Sequence, residues 1–250
     1  MNAKKVTFKI LRYKPDVIDP PRFQMYELQA DDTMTVVEGL KKIRLEQDNT
    51  LMFRHSCLHS SCGTCACMIN GRPRLACITG ILSLGTATIE LQPLEGFQPI
   101  GDLAVNMRGF YKDISAQWSY LREAEIADPI DVPQGDDQHV RFENCIECGA
   151  CVAACPVTGD GAEFLGPAAL AALHREMIKS PDKKPELAAL AGGNRGVHLC
   201  ERALNCSRVC PTAVYPARHI ADLRRLADVV NSLLHLAITG NGIRIAHGAF

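Results

Sequence analysis

The 250-residue sequence has almost no excess of charge of either sign and few aromatic residues. Lys and Arg total 27 against 28 Asp and Glu, which gives a net charge of -1, and aromatic residues make up 6% with 1 tryptophan. A chain without a basic surplus has no broad positive field to attract nucleic acid or anionic lipid. We therefore expect no nucleic-acid partner.

Long apolar runs are also missing. A membrane-spanning helix needs about 18 or more consecutive apolar residues. The longest candidates, 164–173 and 233–238, are short or interrupted by Gly, Pro and His. The first residues, MNAKKVTFKILRYK, alternate apolar and polar types, so we expect neither a signal peptide nor a transmembrane segment in this chain.

Cysteine, in contrast, is abundant, with 12 residues. In a short secreted chain such a count predicts a disulfide framework. Here most cysteines lie a few residues apart in tight runs, and a chain of this length does not need disulfides to stabilise a core. Thiolates that bind metal in a reducing compartment are the stronger interpretation.

The N-terminal part of the chain predicts a small α+β domain. Two β-rich segments separated by a stretch with Pro and Asp indicate a hairpin. Thr35 and Glu38 have the spacing of a capping box and are followed by apolar residues at helical spacing, which predicts a helix. Asn70-Gly71 is a turn signal between two further strands. The predicted strands are residues 6–13, 23–28, 66–69, 74–78 and 87–91.

From residue 102 onward the pattern favours helices and loops. Asp102 is the predicted N-cap of an amphipathic helix, and Pro167 and Pro216 each occupy a predicted first helical position. We accordingly divide the chain into two domains, 1–104 and 105–250. The elements predicted in the second part are helices at 103–124, 168–178 and 217–234, a surface loop at 127–138 and an exposed connection at 180–196.

Four cysteines in the N-terminal part have the spacing C-x4-C-x2-C, with the fourth on a later segment. This is the plant-type ferredoxin pattern, and four thiolates can hold a 2Fe-2S cluster. Small residues in the loop would let backbone amides approach sulfur and donate hydrogen bonds. The predicted 2Fe-2S ligands are Cys57, Cys62, Cys65 and Cys77.

Cys67 is the cysteine left over from these patterns. If it replaced Cys65 as a ligand, the two-residue spacing would be lost, so we interpret it as a small buried hydrophobic residue. Zinc could also bind four thiolates, but structural zinc sites usually combine two C-x2-C units. The asymmetric pattern favours iron.

The second cysteine group predicts two further clusters. Its first run has the spacing C-x2-C-x2-C-x3-C-P, in which the fourth cysteine ligates the neighbouring cluster of a two-cluster ferredoxin. Its second run aligns with the first, except that Ala203 occupies one cysteine position, and alanine cannot bind iron. The predicted 4Fe-4S ligands are Cys145, Cys148, Cys151 and Cys210, and those of a 3Fe-4S cluster are Cys155, Cys200 and Cys206. With fewer thiolates, the 3Fe-4S cluster is expected to accept electrons readily and to lie near the terminal acceptor.

These motifs resemble the iron-sulfur subunit of succinate dehydrogenase and fumarate reductase, the respiratory complex II family. The resemblance covers nearly the whole chain and is carried by CLHSSCGTCACMING with LAC, IGDLAVNMRGFYKDI, CIECGACVAACP, LGPAALAALHREMIKS, and CERALNCSRVCP with YPARHI. It implies an α+β chain with an N-terminal β-grasp plant-type ferredoxin domain, followed by a mainly α-helical bacterial-type ferredoxin domain. It also implies an enzyme subunit of the respiratory chain and the tricarboxylic acid cycle.

The resemblance further implies partners. Electrons would pass between the covalent FAD of a flavoprotein subunit and a membrane quinone beside an anchor subunit, by way of the three clusters. The chain would lie at the cytoplasmic face of the cell membrane, held there by its partners. The dicarboxylate would bind the flavoprotein, so no catalytic residue is expected on this chain, and His55 and His59 are not candidates.

Two departures from the family pattern concern the quinone. Family members often have serine after the proline of the crossing cysteine, with tryptophan nearby, and histidine after the first cysteine of the last run. Here Pro156 is followed by valine and Cys200 by Glu201, and Trp118 is the only tryptophan. The resemblance thus implies an altered quinone vicinity at Pro156, Glu201 and Arg224, suited to menaquinone or completed by the anchor. A solvent-exposed Arg224 is the alternative.

The other histidines are scattered without metal-binding spacing and are predicted to be mostly surface or packing residues. They are His139, His174, His198, His219, His235 and His247.

Two other functions stay open at this point. The same clusters could serve another flavoenzyme, such as a thiol-dependent fumarate reductase or a hydroxyacid oxidoreductase. The chain could also be a free soluble electron carrier, because apolar helices pack equally well within one domain and against a partner.

Overall fold

A computed structural model describes residues 3–111, 113–114, 144–159 and 163–238, with side chains up to residue 228. Its N-terminal part is built on a five-stranded sheet. The strands are β1 (Lys4–Lys14), β2 (Ile18–Ala30), β3 (Ala66–Ile69), β4 (Arg72–Leu75) and β5 (Thr88–Gln92). Their order is β2-β1-β5-β3-β4, in which β1 and β5 are parallel and the other neighbours are antiparallel. Residues of β1 alternate between buried and more exposed, as expected for a sheet with one face on the core.

Helix α1 (Val36–Glu46) packs against this sheet. The predicted capping box is confirmed, because the Glu38 amide donates to the Thr35 hydroxyl and the Thr35 amide donates to the Glu38 carboxylate. A β-carbon built on Gly39 would lie 2.7 Å from Cζ of Phe8, so glycine allows the helix to approach the sheet closely. The buried apolar residues of α1 are Val36, Val37, Leu40 and Ile43.

The predicted Asn70-Gly71 turn is confirmed. Both residues have positive φ, 49° and 71°, and they connect β3 to β4. The second strand was predicted at 74–78 but ends at Leu75. The reason is that the Ala76 amide donates to the Cys65 carbonyl at 3.2 Å, so the chain leaves the sheet to close onto the cysteine loop.

The predicted helix over 103–124 is wrong at its start. Strands β6 (Pro99–Gly101) and β7 (Ala104–Val105) form a two-stranded ladder, and α2 (Arg108–Tyr111) begins only afterwards. Asp102 caps no helix, because its carboxylate accepts hydrogen bonds from the Arg12 guanidinium and from the Met52 amide. Trp118 and the predicted loop at 127–138 lie outside the described residues.

The C-terminal part is helical. Pro216 begins its helix as predicted, and Pro167 lies in the first turn of its own. The segment 180–196 is mostly exposed, as predicted, but it also contains a helix whose Leu187, Ala188 and Ala191 are buried against the helices before and after it. The helices are α3 (Ala150–Ala153), α4 (Gly166–Lys179), α5 (Lys184–Gly192), α6 (Asn205–Arg208) and α7 (Pro216–Ile238), with 3-10 turns at Pro181–Lys183 and Val197–Leu199.

The architecture is therefore α+β, with a mixed sheet followed by helices. Among the helices that the structure describes, none is both long and apolar enough to cross a bilayer.

Candidate metal centres

The first cysteine loop points backbone amides at sulfur. The Ser61 and Cys62 amides donate to Sγ of Cys57 at 3.2 and 3.3 Å, and the Ser60 amide donates to Sγ of Cys77 at 3.3 Å. Left-handed backbone conformations at residues 58, 60 and 63 turn the amides inward. Donors arranged in this way stabilise negative charge on the sulfurs, which fits an iron-sulfur cluster.

The four predicted 2Fe-2S cysteines lie in two contacting pairs. The Cys62 amide donates to Sγ of Cys57, and the side chains of Cys65 and Cys77 are close enough to interact electrostatically. The backbone amide of His59, followed by the other amides of the loop, lowers the pKa of Cys57 to about 7. Burial raises the pKa of Cys65 to about 12. Two thiols per pair match the two ligands that each iron of a 2Fe-2S cluster requires.

Cys67 lies in β3 and is 3% exposed. Burial raises the pKa of its thiol to about 12, so that it stays protonated and unreactive. Its environment is that of a packing residue.

The four predicted 4Fe-4S cysteines line one apolar cavity. Ala168 and Ala171 of α4 and Val214 form part of the same wall, and the Val214 amide donates to Sγ of Cys210 at 3.3 Å. Burial raises the pKa values of Cys145 and Cys148 to about 12 and about 11. An apolar cavity with several neighbouring thiols fits a metal cluster. Burial keeps these thiols protonated, whereas iron would bind them as thiolates. The lining cysteines are Cys145, Cys148, Cys151 and Cys210.

The three predicted 3Fe-4S cysteines line a different cleft of about 330 Å³. Ala203 lies on the same wall and contributes no thiol. The cleft is also lined by the three residues predicted for the quinone vicinity, Pro156, Glu201 and Arg224. Burial raises the pKa of Cys206 to about 11. Cys155 and Cys210 thus each lie with cysteines of the other run, which is the exchange that the sequence predicts.

Sequence analysis missed a buried histidine pair. His174 on α4 and His219 on α7 are 9% and 6% exposed, and their Nδ1 atoms are 2.9 Å apart. Burial lowers the pKa of both rings, that of His219 to about 4. The only sequence signal was the position of His174 among the apolar residues of a predicted helix, which says nothing of its partner 45 residues away. The side chains of His139, His235 and His247 lie outside the described residues.

The remaining histidines lie at or near the surface. His198 is exposed in the turn Val197–Leu199, and His59 is exposed in the first cysteine loop. His55 is half-buried and stacks obliquely on Phe53, with ring centroids 5.3 Å apart. Among the described residues, no three or more His, Cys, Asp or Glu side chains are arranged to hold a single metal ion, and these three histidines are therefore not candidate ligands.

Family comparisons cover both parts of the chain that carry the cysteine groups. A family model described as a 2Fe-2S iron-sulfur cluster binding domain matches residues 7–112, and one described as a 4Fe-4S dicluster domain matches residues 141–214. The Mycobacterium smegmatis Sdh1 complex in the apo form contains a chain of similar fold, with a TM-score of 0.69, 22% identity, and coverage of 91% of this chain and 98% of that one.

Sequence relatives extend along nearly the full length. The fumarate reductase iron-sulfur subunit of Haemophilus influenzae is 30% identical, over 93% of this chain and 98% of its own. The mitochondrial succinate dehydrogenase [ubiquinone] iron-sulfur subunit of Candida glabrata is 33% identical, over 88% and 90%. The fumarate reductase iron-sulfur subunit of Escherichia coli is 35% identical, over 87% and 91%. The chain therefore belongs to the family of iron-sulfur subunits of succinate dehydrogenase and fumarate reductase, electron-transfer subunits with 2Fe-2S, 4Fe-4S and 3Fe-4S clusters.

Proposed function

We propose that this subunit carries electrons between the FAD of a flavoprotein partner and a quinone at a membrane anchor. The arrangement of three separate cysteine sites, one of them with Ala203 in place of a fourth thiol, supports this most directly. When bound, the clusters supply one-electron carriers whose potentials depend on cluster type, hydrogen bonding and exposure.

The proposed ligands follow the grouping of the thiols. Amides of one loop donate to Cys57 and Cys77, and the side chains of Cys65 and Cys77 interact electrostatically, which supports Cys57, Cys62, Cys65 and Cys77 as one set. The apolar cavity supports Cys145, Cys148, Cys151 and Cys210 as the second set. The cleft supports Cys155, Cys200 and Cys206 as the third.

We also propose the division into two domains, 1–104 and 105–250. The mixed sheet with α1 packed on it supports a β-grasp, plant-type first domain. The exchange of Cys155 and Cys210 between two runs supports a bacterial-type second domain.

The protein's own contribution is to bind and orient the clusters and to shield them from water. The amides of residues 60–62 donate to Sγ of Cys57 and Cys77, and the Val214 amide donates to Sγ of Cys210. These fixed hydrogen-bond donors stabilise the negative charge that reduction adds. The apolar wall of the second cavity excludes water and keeps the dielectric constant low.

The third cleft is the proposed place of electron exchange with quinone. Pro156, Glu201 and Arg224 line it, and exposed residues at its rim leave room for an anchor subunit to complete the site. The relative from Candida glabrata is the iron-sulfur subunit of a succinate dehydrogenase [ubiquinone], which supports a quinone as the acceptor. Succinate or fumarate would bind the flavoprotein partner, and the chain would lie peripherally at the cytoplasmic face of the membrane.

Purification of the native protein in detergent tests this function. We expect the chain to co-purify with an FAD-bearing subunit and a membrane anchor, and the complex to couple succinate to a quinone analogue. Recovery of the chain alone, or with a flavoenzyme inactive on both succinate and fumarate, would contradict the proposal.

Ligand assignments are tested separately by serine substitution. Cys200→Ser should abolish the electron paramagnetic resonance signal of the 3Fe-4S cluster and leave those of the other two. Cys67→Ser is the matched control and should leave all three signals intact.

A further inference from the structure

A cleft of about 770 Å³ lies between the sheet and the helical part of the chain. Strand β4 and residues 78, 79 and 83 form one wall, and α3 and α6 contribute the other. Helix α3 packs against β4. No cysteine is among the described residues that line this cleft, so it is separate from the three candidate metal centres. Its volume is in the range of about 300–1,000 Å³ that is usual for sites of small organic molecules.

Three arginines line this cleft. Arg72 and Arg74 are alternate residues of β4, so both project from the same side of the strand, opposite its two buried residues. Arg208 lies on the other wall, at the end of α6. All three arginines are exposed. The two parts of the chain thus present guanidinium groups to one common space.

These guanidinium groups have donors available for a ligand. Within the part of the chain that the structure describes, the side chains of Arg72 and Arg74 form no hydrogen bond and no ion pair. Arg208 uses only Nη1, which donates to the Ala203 carbonyl at 3.2 Å and to Oδ1 of Asn205 at 3.3 Å. These two bonds orient the guanidinium and leave Nε and Nη2 for an oxyanion, which arginine can bind through two parallel hydrogen bonds.

The charge of the cleft favours an anion. Glu95 is the one acidic residue among the described residues of the lining, so three arginines face a single carboxylate. The whole chain, in contrast, has a net charge of -1. A concave surface with a surplus of one charge concentrates its field and attracts the opposite charge. Apolar side chains on the same walls, Met68, Ile78 and Val209, would contact the carbon skeleton of an organic ligand.

We propose that this cleft binds a small organic anion with two or more negative charges, either a phosphate ester or a polycarboxylate. Such a ligand would contact β4, which leads to Cys77, and α6, which carries Cys206. It would therefore hold the two parts of the chain together. The proposal does not depend on the cluster ligands or on the quinone.

Isothermal titration calorimetry of the native purified protein, with the subunits that it retains, tests this site. The probes are ATP, pyrophosphate and citrate, each without magnesium and at one fixed ionic strength. We expect at least one probe to bind at one site per chain, and the binding to weaken as salt is added. Binding of pyrophosphate and ATP without citrate identifies the phosphate class, and binding of citrate alone identifies the carboxylate class.

Substitutions on both walls assign the binding to this cleft. Combined Arg72→Gln and Arg74→Gln should weaken it about a hundredfold, and Arg208→Gln about tenfold, because each arginine supplies a charged hydrogen bond. Glu95→Gln removes the opposing charge and should tighten binding by up to about fivefold. Arg22→Gln is the matched control, since Arg22 is an exposed arginine of β2, and β2 and β4 are the opposite edges of the sheet.

The proposal is overturned if no probe binds, or if the site persists unchanged in the double variant. It is also overturned if Arg22→Gln weakens binding as much as the cleft variants, because the arginines would then act only through the general charge of the surface. If the wild type binds no probe and the double variant loses a subunit in size-exclusion chromatography, the cleft is a docking surface for an acidic protein instead. The electron paramagnetic resonance signals of the clusters should be unchanged in every variant, so this site and the proposed electron transfer can fail independently.

Discussion

Gly63 lies directly against Cys148. A β-carbon built on Gly63 would be 2.9 Å from Cβ of Cys148 and 2.6 Å from the carbonyl oxygen of Ile146. Gly63 belongs to the loop of the first cysteine set and Cys148 to the second set, so the two proposed cluster sites meet with no space for a side chain between them. A side chain at position 63 would therefore force the two cysteine-bearing segments apart.

We expect Gly63→Ala to disturb both sites. The new methyl group must displace the backbone around residues 146–148, so occupancy of both the 2Fe-2S and the 4Fe-4S cluster should fall, together with the thermal midpoint. Gly71→Ala is the matched control, because its φ of +71° is close to the +69° of Gly63 and nothing lies within 4 Å of its added β-carbon. Both variants carry the backbone cost of about 1–2 kcal/mol for a left-handed residue, so only the difference between them reports the contact. Equal midpoints and full occupancy in both would contradict this interpretation.

Local signals predicted local structure well. Thr35 with Glu38 and Asn70 with Gly71 act over a few residues, so the sequence alone specifies the capping box and the turn. In the second cysteine group the spacings predicted which cysteines line a common cavity, with Cys155 and Cys210 exchanged between the two runs.

The errors have long-range causes. Asp102 stands where a helix cap is expected from the sequence, but its carboxylate accepts a hydrogen bond from Arg12, 90 residues away. The strands β6 and β7 form where the helix was predicted to begin. The segment of α5 carries Pro and Lys at its beginning, which suggested a loop, yet burial of Leu187 between α4 and α7 stabilises a helix. A contact such as that of His174 with His219 leaves no periodic trace in the sequence.

Ala203→Cys should convert the 3Fe-4S cluster toward 4Fe-4S. The substitution supplies the missing fourth thiol at the wall that already carries the other three. We expect one additional iron per chain, loss of the oxidised 3Fe-4S signal, and a lower potential because a further thiolate adds negative charge.

Ala203→Ser is the control for this change, since serine has nearly the size of cysteine without its thiolate. It should keep the 3Fe-4S signal and the wild-type iron content. A cysteine variant with unchanged iron and signal would show that position 203 does not face the open corner of the cluster.

The free energy of unfolding should fall as the pH is lowered from about 6.5 toward 4, because of the buried histidine pair. Burial lowers the pKa of His219 to about 4 in the folded protein, against about 6.5 in an unfolded chain. Between these values the unfolded chain binds a proton that the folded protein excludes, so this stability is complete above pH of about 6.5 and declines toward pH 4. From pH 7.5 to 5.5 the loss should be about 1 kcal/mol, which lowers the thermal midpoint by roughly 2–4 °C.

Charges around the pair modify this effect. Asp222 favours the protonated form of both rings, whereas Arg218 disfavours it at His219 and Lys184 at His174. His219→Phe should flatten the dependence of the midpoint on pH, whatever its effect at pH 7.5. His198→Phe, at an exposed position, should keep the wild-type slope. An unchanged slope in His219→Phe would assign the pH dependence to other groups.

Arg12→Met should be the most destabilising of these substitutions. The side chains of Arg12 and Asp102 are 2% and 1% exposed, with Nε and Oδ1 2.9 Å apart. Removing one partner leaves a buried charge without compensation, which costs about 3–5 kcal/mol. Asp102 also accepts from the Met52 amide at 2.7 Å, so the segment that leads to Cys57 should loosen as well. The free energy of unfolding in urea, followed by circular dichroism and by absorbance of the 2Fe-2S cluster, measures both effects.

Lys5→Met provides the comparison, because Lys5 and Glu27 form an ion pair in which both side chains are more than half exposed, at 61% and 63%. Such a pair contributes less than about 1 kcal/mol. If Arg12→Met cost no more than Lys5→Met, the buried pair would contribute nothing beyond a surface contact. A large loss of stability with an unaffected rate of 2Fe-2S bleaching would separate the two roles, because Asp102 would then stabilise the sheet without holding the cysteine loop.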